Sequence, residues 1–150
     1  MTKSVWSVPC WYFFHGFAAK IDENYYKENY KEIWKNIYEN ICYNLPCQMC
    51  KGHATKYISK VKMNEINTKE KLIVYLYKFH NFVNSRLGKP QYQKEYLVKY
   101  KRLKMKQCYT LVHRSFNLQY IGVMMFNGWQ RKKGINVTTT YLTKIWNNIH

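Results

Sequence analysis

The sequence is most informative at residues 80–90, which read HNFVNSRLGKP. This stretch ends a segment with the period of an α-helix, whose apolar side is formed by Leu72, Leu76, Phe79, Val83 and Leu87. The helix is predicted to begin after Thr68 as N-cap and to end at Gly88, because a glycine followed by a proline is a common helix stop. His80 and Asn84 lie one turn apart beside the apolar side, which predicts a ligand-binding wall rather than a plain seam between helices.

Three more helices are predicted before this one. The apolar spacing indicates a first helix over Trp11–Lys20, a second over Tyr25–Asn44 and a third over Cys47–Val61. A short fifth helix is predicted over Tyr92–Lys104. The chain is therefore predicted to be helical up to about residue 104.

The pattern changes after Gln107. Tyr120–Phe126 and Val137–Leu142 are rich in β-branched and aromatic residues, and the turn signal Asn127-Gly128 follows the first of them. These runs predict two short strands that form a small β-hairpin. We therefore divide the chain into a functional domain, residues 1–105, and a C-terminal extension of unassigned role, residues 106–150.

Cys47 and Cys50 form a CxxC motif at the predicted start of the third helix. A helix N-terminus and nearby lysines favour the thiolate, which is the reactive form of cysteine. A CxxC motif on its own is compatible with a redox dithiol or with half of a zinc site. Cys47, Cys50, His53 and His80 would be one tetrahedral zinc set.

The stretch at residues 80–90 resembles the HNxVNxxLGKP segment of the Erv/ALR sulfhydryl oxidases. The first predicted helix is similar to that family's WxxLHxxA segment, with Trp11, His15 and Ala18 in matching order. Trp6, five residues earlier, is similar to the short members found in large DNA viruses. Together with the CxxC motif, the resemblance covers roughly residues 6–104. It implies an all-α four-helix bundle with a short fifth helix, usually dimeric, that binds FAD with the CxxC motif against the isoalloxazine.

The resemblance also implies which residues contact FAD. Trp11 and His15 would do so from the first helix, and Lys89 would lie near the adenosine or the phosphates. The full implied set of cofactor-binding residues is Trp11, His15, Cys50, His80, Asn81, Val83, Asn84, Lys89, Tyr96 and Tyr100. No metal is expected.

The activity implied by the resemblance is the oxidation of protein dithiols to disulfides, with oxygen as electron acceptor and hydrogen peroxide as product. Cys47 would be the outer sulfur, which a substrate thiolate attacks, and Cys50 would be the sulfur next to the flavin. The sequence departs from the family in two respects. Tyr77 and Lys94 stand where many members have a clamping disulfide, and no second CxxC follows in a tail. Cys10 and Cys108 are the candidate shuttle thiols, although incidental roles are favoured for both.

Each of these residues has a simpler interpretation. His15 alone would more often be a satisfied buried histidine, Asn81 and Asn84 alone would cap or bridge helices, and Lys89 alone would be a surface lysine. Cys42 is predicted to be a core cysteine on the second helix. The three motifs together favour the redox interpretation over zinc, because a zinc site needs no HNxVN segment.

The charge is strongly positive, with 25 basic and 8 acidic residues and a net charge of +17. Lys99–Lys106 and Arg131–Lys133 are basic runs of the kind found on nucleic-acid-binding surfaces, so nucleic acid is predicted only as a secondary, charge-driven partner. No signal peptide is recognised, and no apolar run reaches the length of about 20 residues that a membrane span needs. A soluble protein of the host cytoplasm or the virion is expected from the resemblance to viral members.

Overall fold

The structure is a computed structural model that describes residues 5–118 and 128–150. Within these residues every regular element is a helix, and one antiparallel bridge joins Ile21 to Ile149. The prediction of an all-α fold is confirmed. Among the described residues, no helix has the length and apolar character to cross a lipid bilayer.

The first two helices differ in detail from the prediction. Helix α1, Ser7–Lys20, begins four residues earlier than expected, because Pro9 falls in its first turn, where the missing N–H costs no hydrogen bond. Helix α2, Glu23–Ile33, begins where the Asp22 carboxylate accepts a hydrogen bond from the Tyr25 N–H at 2.9 Å. It continues as a π-helix over Trp34–Glu39, called here the π segment, and then as α-helix over Asn40–Cys42.

The next two helices follow the prediction closely. Helix α3, Gln48–Ile58, has Cys47 as its N-cap, and helix α4, Lys69–Arg86, has Thr68 in that position. After α4 the chain turns at Gly88, whose φ of +69° is in the left-handed region that favours glycine. The predicted fifth helix is a 3₁₀-helix over Lys94–Arg102.

Two further helices follow, α5, Met105–Asn117, and α6, Gly128–Ile145. The prediction of a strand over Val137–Leu142 is wrong, because these residues lie inside α6. The partner strand of the predicted hairpin, Tyr120–Phe126, lies outside the described residues. The buried positions of α6 are spaced at three and four residues: Ile135, Thr138, Tyr141, Leu142 and Ile145. Their period is therefore helical despite the run of β-branched residues.

Helix α1 is central to the packing. It contacts α4 on one side and α5 and the 3₁₀-helix on the other, while α6 packs against α5, the π segment and the Asn40–Cys42 turn. Phe13 and Phe17 of α1 are fully buried, and Val112 and Phe116 of α5 belong to the same core. The core is thus continuous across residue 105, where the sequence suggested a boundary.

Candidate functional site

The two cysteines of the CxxC motif lie at the N-terminus of α3. The Cys47 sulfur accepts a hydrogen bond from the Cys50 N–H at 3.3 Å, and the Lys51 N–H donates to the Cys47 carbonyl at 2.8 Å. The first turn of the helix therefore holds both cysteines close together. Cys47 is 8% exposed, whereas Cys50 is only partly buried.

Beside Cys50 lies a small, partly open pocket with a cavity volume of about 40 Å³. Its wall includes residues from α1, the loop before α3, α3 itself and the end of α4. Most of the lining is apolar or aromatic, with Trp6, Trp11, Phe14, Phe79, Val83 and Leu87 as the largest members. The lining matches the face of a flat apolar ligand in chemical type, and Cys50 would contact such a ligand.

Two more cysteines, Cys10 and Cys42, line the same pocket. Both are buried, and burial raises the pKa of each thiol well above its ordinary value. Cys42 is a core cysteine, as predicted. Cys108 is also buried, on α5, and is not part of the pocket lining.

A group of stacked rings lies next to the pocket. The ring centroids of Trp11 and His80 are 3.9 Å apart with planes 6° from parallel, and His80 stacks on Tyr92 at 4.6 Å. His15 stacks on Tyr100 at 4.6 Å and makes a hydrogen bond between its Nε2 and Nδ1 of His80 at 2.9 Å. Residues from α1, α4 and the segment after Gly88 thus meet in one ring stack.

Both histidines of the stack are held neutral. Burial, together with the neighbouring His80 and Lys99, lowers the pKa of His15 to about 3. Burial, with Lys89 and Lys99 nearby, lowers the pKa of His80 to about 4. A neutral imidazole can act as hydrogen-bond donor at one nitrogen and acceptor at the other, which the bond between the two rings requires.

The two asparagines of the HNxVN segment hold the chain after Gly88. The Asn81 side chain accepts from the Tyr92 N–H at 2.6 Å and donates to the Tyr92 carbonyl at 3.3 Å. The buried Asn84 donates to the Pro90 carbonyl at 3.2 Å. In this structure, both asparagines therefore fix the position of the Tyr92 ring against His80.

Lys99 lies over four tyrosine rings beside the ring stack. Its Nζ is 5.4–5.8 Å from the ring centroids of Tyr12, Tyr92, Tyr96 and Tyr100, within cation–π range. It makes no ion pair with any carboxylate among residues 5–118 and 128–150. It is therefore a cation that an anionic ligand could approach.

The remaining predicted residues lie at different depths around the site. Val83 lines the pocket, Tyr100 is 2% exposed within the ring stack, and Lys89 is exposed, with its backbone N–H bonded to the Asn84 carbonyl at 2.8 Å. Tyr96 is 54% exposed and contacts the stack only through Tyr92 and Lys99. Of the predicted cofactor contacts, Trp11, Cys50 and Val83 line the pocket, and the others lie in the ring stack or in the segments that surround it.

The residues of the site that were not among the predicted contacts include Trp6, Cys10, Tyr92 and Lys99. The equal spacing of Tyr92, Tyr96 and Tyr100 was the available signal for Tyr92. Neither Cys10 nor Lys99 belongs to a motif that sequence alone distinguishes. In the part of the chain that the structure describes, no three His, Cys, Asp or Glu side chains converge as metal ligands.

The chain matches the model of the Erv1 / Alr family over residues 9–115. This match contains the CxxC motif, the ring stack and most of α5, so it extends ten residues beyond the boundary suggested at residue 105. No solved structure matches the chain.

Curated relatives come from viruses. A protein of invertebrate iridescent virus 3 named putative FAD-linked sulfhydryl oxidase is 40% identical over 48 residues, which are 31% of this chain and 32% of the relative. Proteins named FAD-linked sulfhydryl oxidase from two isolates of African swine fever virus are 41% identical over 46 residues, 31% of this chain and 38% of theirs. The chain thus spans about a third of the length of the curated relatives it matches.

Proposed function

Because the chain belongs to the Erv1 / Alr family, we propose that it is an FAD-dependent thiol oxidase that forms disulfide bonds in protein substrates. One observation carries the proposal. Cys50 of a CxxC motif at a helix N-terminus lines an apolar pocket, and a stack of histidine, tyrosine and tryptophan rings adjoins that pocket. The names of the viral relatives agree with this activity.

The residues present fit FAD in chemical type. The apolar and aromatic lining of the pocket matches the face of an isoalloxazine, and Cys50 would then lie against that ring. The planar side-chain rings around the pocket are suited to stacking with an adenine; they belong to Trp11, His15, His80 and Tyr100. Lys89 and Lys99 suit the phosphates, because both are exposed cations and Lys99 has no carboxylate partner among the described residues.

The redox-active pair is Cys47 and Cys50, joined as a disulfide in the oxidised enzyme. A substrate thiolate attacks the Cys47 sulfur, so that a mixed disulfide forms and Cys50 leaves as a thiolate. A second substrate thiolate attacks the substrate sulfur of that mixed disulfide, which releases the substrate disulfide and a Cys47 thiolate. FAD, when bound, supplies a two-electron acceptor that oxygen reoxidises with release of hydrogen peroxide.

The two cysteines receive different roles because of their surroundings. Cys50 lines the pocket and Cys47 is not part of its lining, so Cys50 is assigned as the cofactor-side thiolate. Cys47 is assigned as the sulfur that meets substrate. Since it is 8% exposed, a substrate must displace neighbouring side chains as it approaches.

The test is the visible absorption spectrum of the purified protein, recorded before and after addition of a dithiol in air. We expect a flavin spectrum that bleaches with dithiol and returns as oxygen is consumed and peroxide accumulates. Cys50→Ala should retain the flavin spectrum and lose dithiol-dependent oxygen uptake, whereas Cys108→Ala, outside the pocket, should retain both. A protein that neither contains nor takes up FAD would overturn the proposal.

Further partners are proposed by family kinship. A homodimer is proposed, with an interface away from the side of α1 that α5 covers, because that side is already buried within one chain.

The viral relatives support the host cytoplasm or the virion as location. Contact with nucleic acid is proposed only as a charge-driven secondary property, since residues 96–150 contain no acidic residue.

A further inference from the structure

The carboxylates of this chain are unevenly placed relative to the CxxC motif. The eight acidic residues are Asp22, Glu23, Glu28, Glu32, Glu39, Glu65, Glu70 and Glu95. Helix α3, which begins at the motif, has none, and α4 has none after Glu70 in its first turn. The pocket is lined by α3 and by the end of α4, so the two helices that flank Cys50 present no negative charge near the pocket.

Positive charges occupy the same two helices. Lys51 follows Cys50 directly, and its N–H bonds to the Cys47 carbonyl, so its side chain starts one helical turn from Cys47. Lys56 is exposed further along α3. Arg86, exposed at the end of α4, has its guanidinium carbon 5.3 Å above the Phe82 ring, which in turn lies 4.8 Å from the Tyr57 ring of α3. Arg86 therefore extends on the side of α4 that faces α3.

Two carboxylates lie beside this region. Glu39, the last residue of the π segment, is close enough to contribute, after burial, to the raised pKa of Tyr43 and of Cys42, which lines the pocket. Glu65 lies beyond the C-terminal end of α3, and its side chain accepts a hydrogen bond from the Lys62 N–H at 2.9 Å. Neither carboxylate pairs with Lys51, Lys56 or Arg86 within the described residues.

An exposed apolar side chain lies in the middle of the motif. Met49, between the two cysteines, is 54% exposed. Methionine is flexible and polarizable, so it can contact apolar side chains of varied shape. These side chains around the motif, Met49, Lys51, Lys56 and Arg86, are called here the thiol-entry surface. They lie on more than one side of α3 and provide one adaptable apolar contact and three cations.

We propose that the thiol-entry surface selects protein substrates whose cysteines lie in acidic segments with an apolar residue beside the reacting cysteine. This inference rests on the proposed oxidase function and names its substrate class. Lys51, Lys56 and Arg86 make no ion pair within the described residues, so they attract an acidic segment and repel a basic one. The attraction acts mainly on the rate of association and weakens with salt.

The experiment uses three peptides of equal length with two cysteines at the same spacing, flanked by acidic, neutral or basic residues. Oxygen uptake by the FAD-loaded full chain gives kcat/KM for each peptide at low and high salt, with dithiothreitol as uncharged reference. We expect the acidic peptide to exceed the basic one by about tenfold or more at low salt. The ratio should shrink at high salt, while dithiothreitol oxidation changes little.

A matched pair of variants separates the local surface from the overall charge of +17. Lys51→Glu with Arg86→Glu should lower the ratio of kcat/KM for the acidic peptide to kcat/KM for the basic peptide. Each value is normalised to dithiothreitol oxidation by the same variant. Lys106→Glu with Lys132→Glu makes the same charge change on exposed positions of α5 and α6 and should leave the ratio near that of the unaltered chain.

Three outcomes would count against these conclusions. Oxidation of dithiothreitol together with equal rates for the three peptides would overturn the substrate inference and leave the oxidase proposal intact. An equal fall of the ratio in both variant pairs would also overturn it, because net charge would then be the cause. If the protein oxidises neither dithiothreitol nor any of the peptides, the oxidase proposal and this inference are both overturned.

Discussion

His15 and His80 are two buried imidazoles that share one hydrogen bond. A histidine in an unfolded chain has a pKa near 6.5, whereas the pKa is about 3 for His15 and about 4 for His80 in the fold. As the pH falls below about 6.5, the unfolded chain therefore binds protons that the folded chain does not. The stability that neutral histidines provide is present above pH 6.5 and is lost as the pH falls towards 4.

We expect the free energy of unfolding of the cofactor-free protein to fall by about 1.4 kcal/mol per pH unit for each histidine below pH 6.5. Urea unfolding at several pH values measures this slope. His15→Gln should remove roughly half of the histidine-dependent slope, and His53→Gln on α3 controls for the substitution itself. Equal slopes in the unaltered chain and in His15→Gln would contradict the assignment.

At the level of elements, α6 braces the loop that leads into the CxxC motif. The Asn40 side chain donates to the Gly134 carbonyl and to the Thr138 hydroxyl at 2.6 and 2.7 Å, and the Thr138 hydroxyl donates to the Asn36 carbonyl at 2.8 Å. Gly134 also lies against Asn44, three residues before Cys47. These contacts couple α6 to the start of α3.

Alanine substitutions at two glycines inside helices should change the free energy of unfolding in opposite directions. At Gly134 a Cβ would clash with the side-chain amide of Asn44, whose Nδ2 donates to the Asn40 carbonyl, so Asn44 must move. We expect Gly134→Ala to destabilise the fold by about 1 kcal/mol in total, because the cost of displacing Asn44 exceeds the gain in helix propensity from alanine. Gly52→Ala meets nothing within 4 Å and should stabilise by about 0.5–1 kcal/mol. Urea unfolding midpoints measure both, and a stabilising Gly134→Ala would refute the close contact.

The elements that could be predicted from the sequence are those whose periodicity and caps agree. Helix α4 has both Thr68 and Gly88, and its bounds were predicted nearly to the residue. Helix α6 was misread because Val137 and the threonines after it have high β-propensity, whereas burial of the helical face decides their structure. Threonine hydroxyls are satisfied within the helix, as when Thr139 donates to the Ile135 carbonyl at 2.9 Å.

The 3₁₀-helix explains why part of the site could not be predicted. An α-helix would place Tyr96 and Tyr100 on one face, whereas a 3₁₀-helix aligns residues three apart. Tyr100 is consequently buried and Tyr96 exposed, and Lys99 aligns with Tyr96 instead. The motifs therefore indicated residues of α1, α3 and α4 that lie at or beside the pocket, whereas the position of Lys99 over the tyrosine rings depended on a backbone geometry that the sequence pattern does not reveal.

On the scale of the whole molecule, the helices after residue 104 complete the core that supports the site. Helix α5 buries Met105, Val112 and Phe116 against the rest of the core. Burial of each large apolar side chain contributes roughly 1.5–3 kcal/mol, and the net stability of a domain is about 5–15 kcal/mol. The proposed domain, residues 1–105, thus contains the predicted site residues without containing the whole core.

We expect a chain truncated after Lys104 to lack cooperative thermal unfolding, as followed by circular dichroism. In the full chain, Val112→Asp should abolish cooperative unfolding and FAD binding alike, because Val112 is completely buried. The adjacent Leu111→Asp, at a position 47% exposed, should leave both nearly unchanged. Cooperative unfolding of the truncated chain at an unchanged midpoint would establish residues 1–104 as an independent folding unit instead.

The tryptophans of the pocket wall have an optical consequence. Trp6 and Trp11, two of the five in the chain, line the pocket, whereas Trp129 is 72% exposed elsewhere. Flavins absorb light at the wavelengths where tryptophan emits, so energy transfer to a flavin in this pocket would quench the emission of both indoles. Loading of the pocket can therefore be followed by the intrinsic fluorescence of the chain without an added label, with Trp129 contributing a background that changes less.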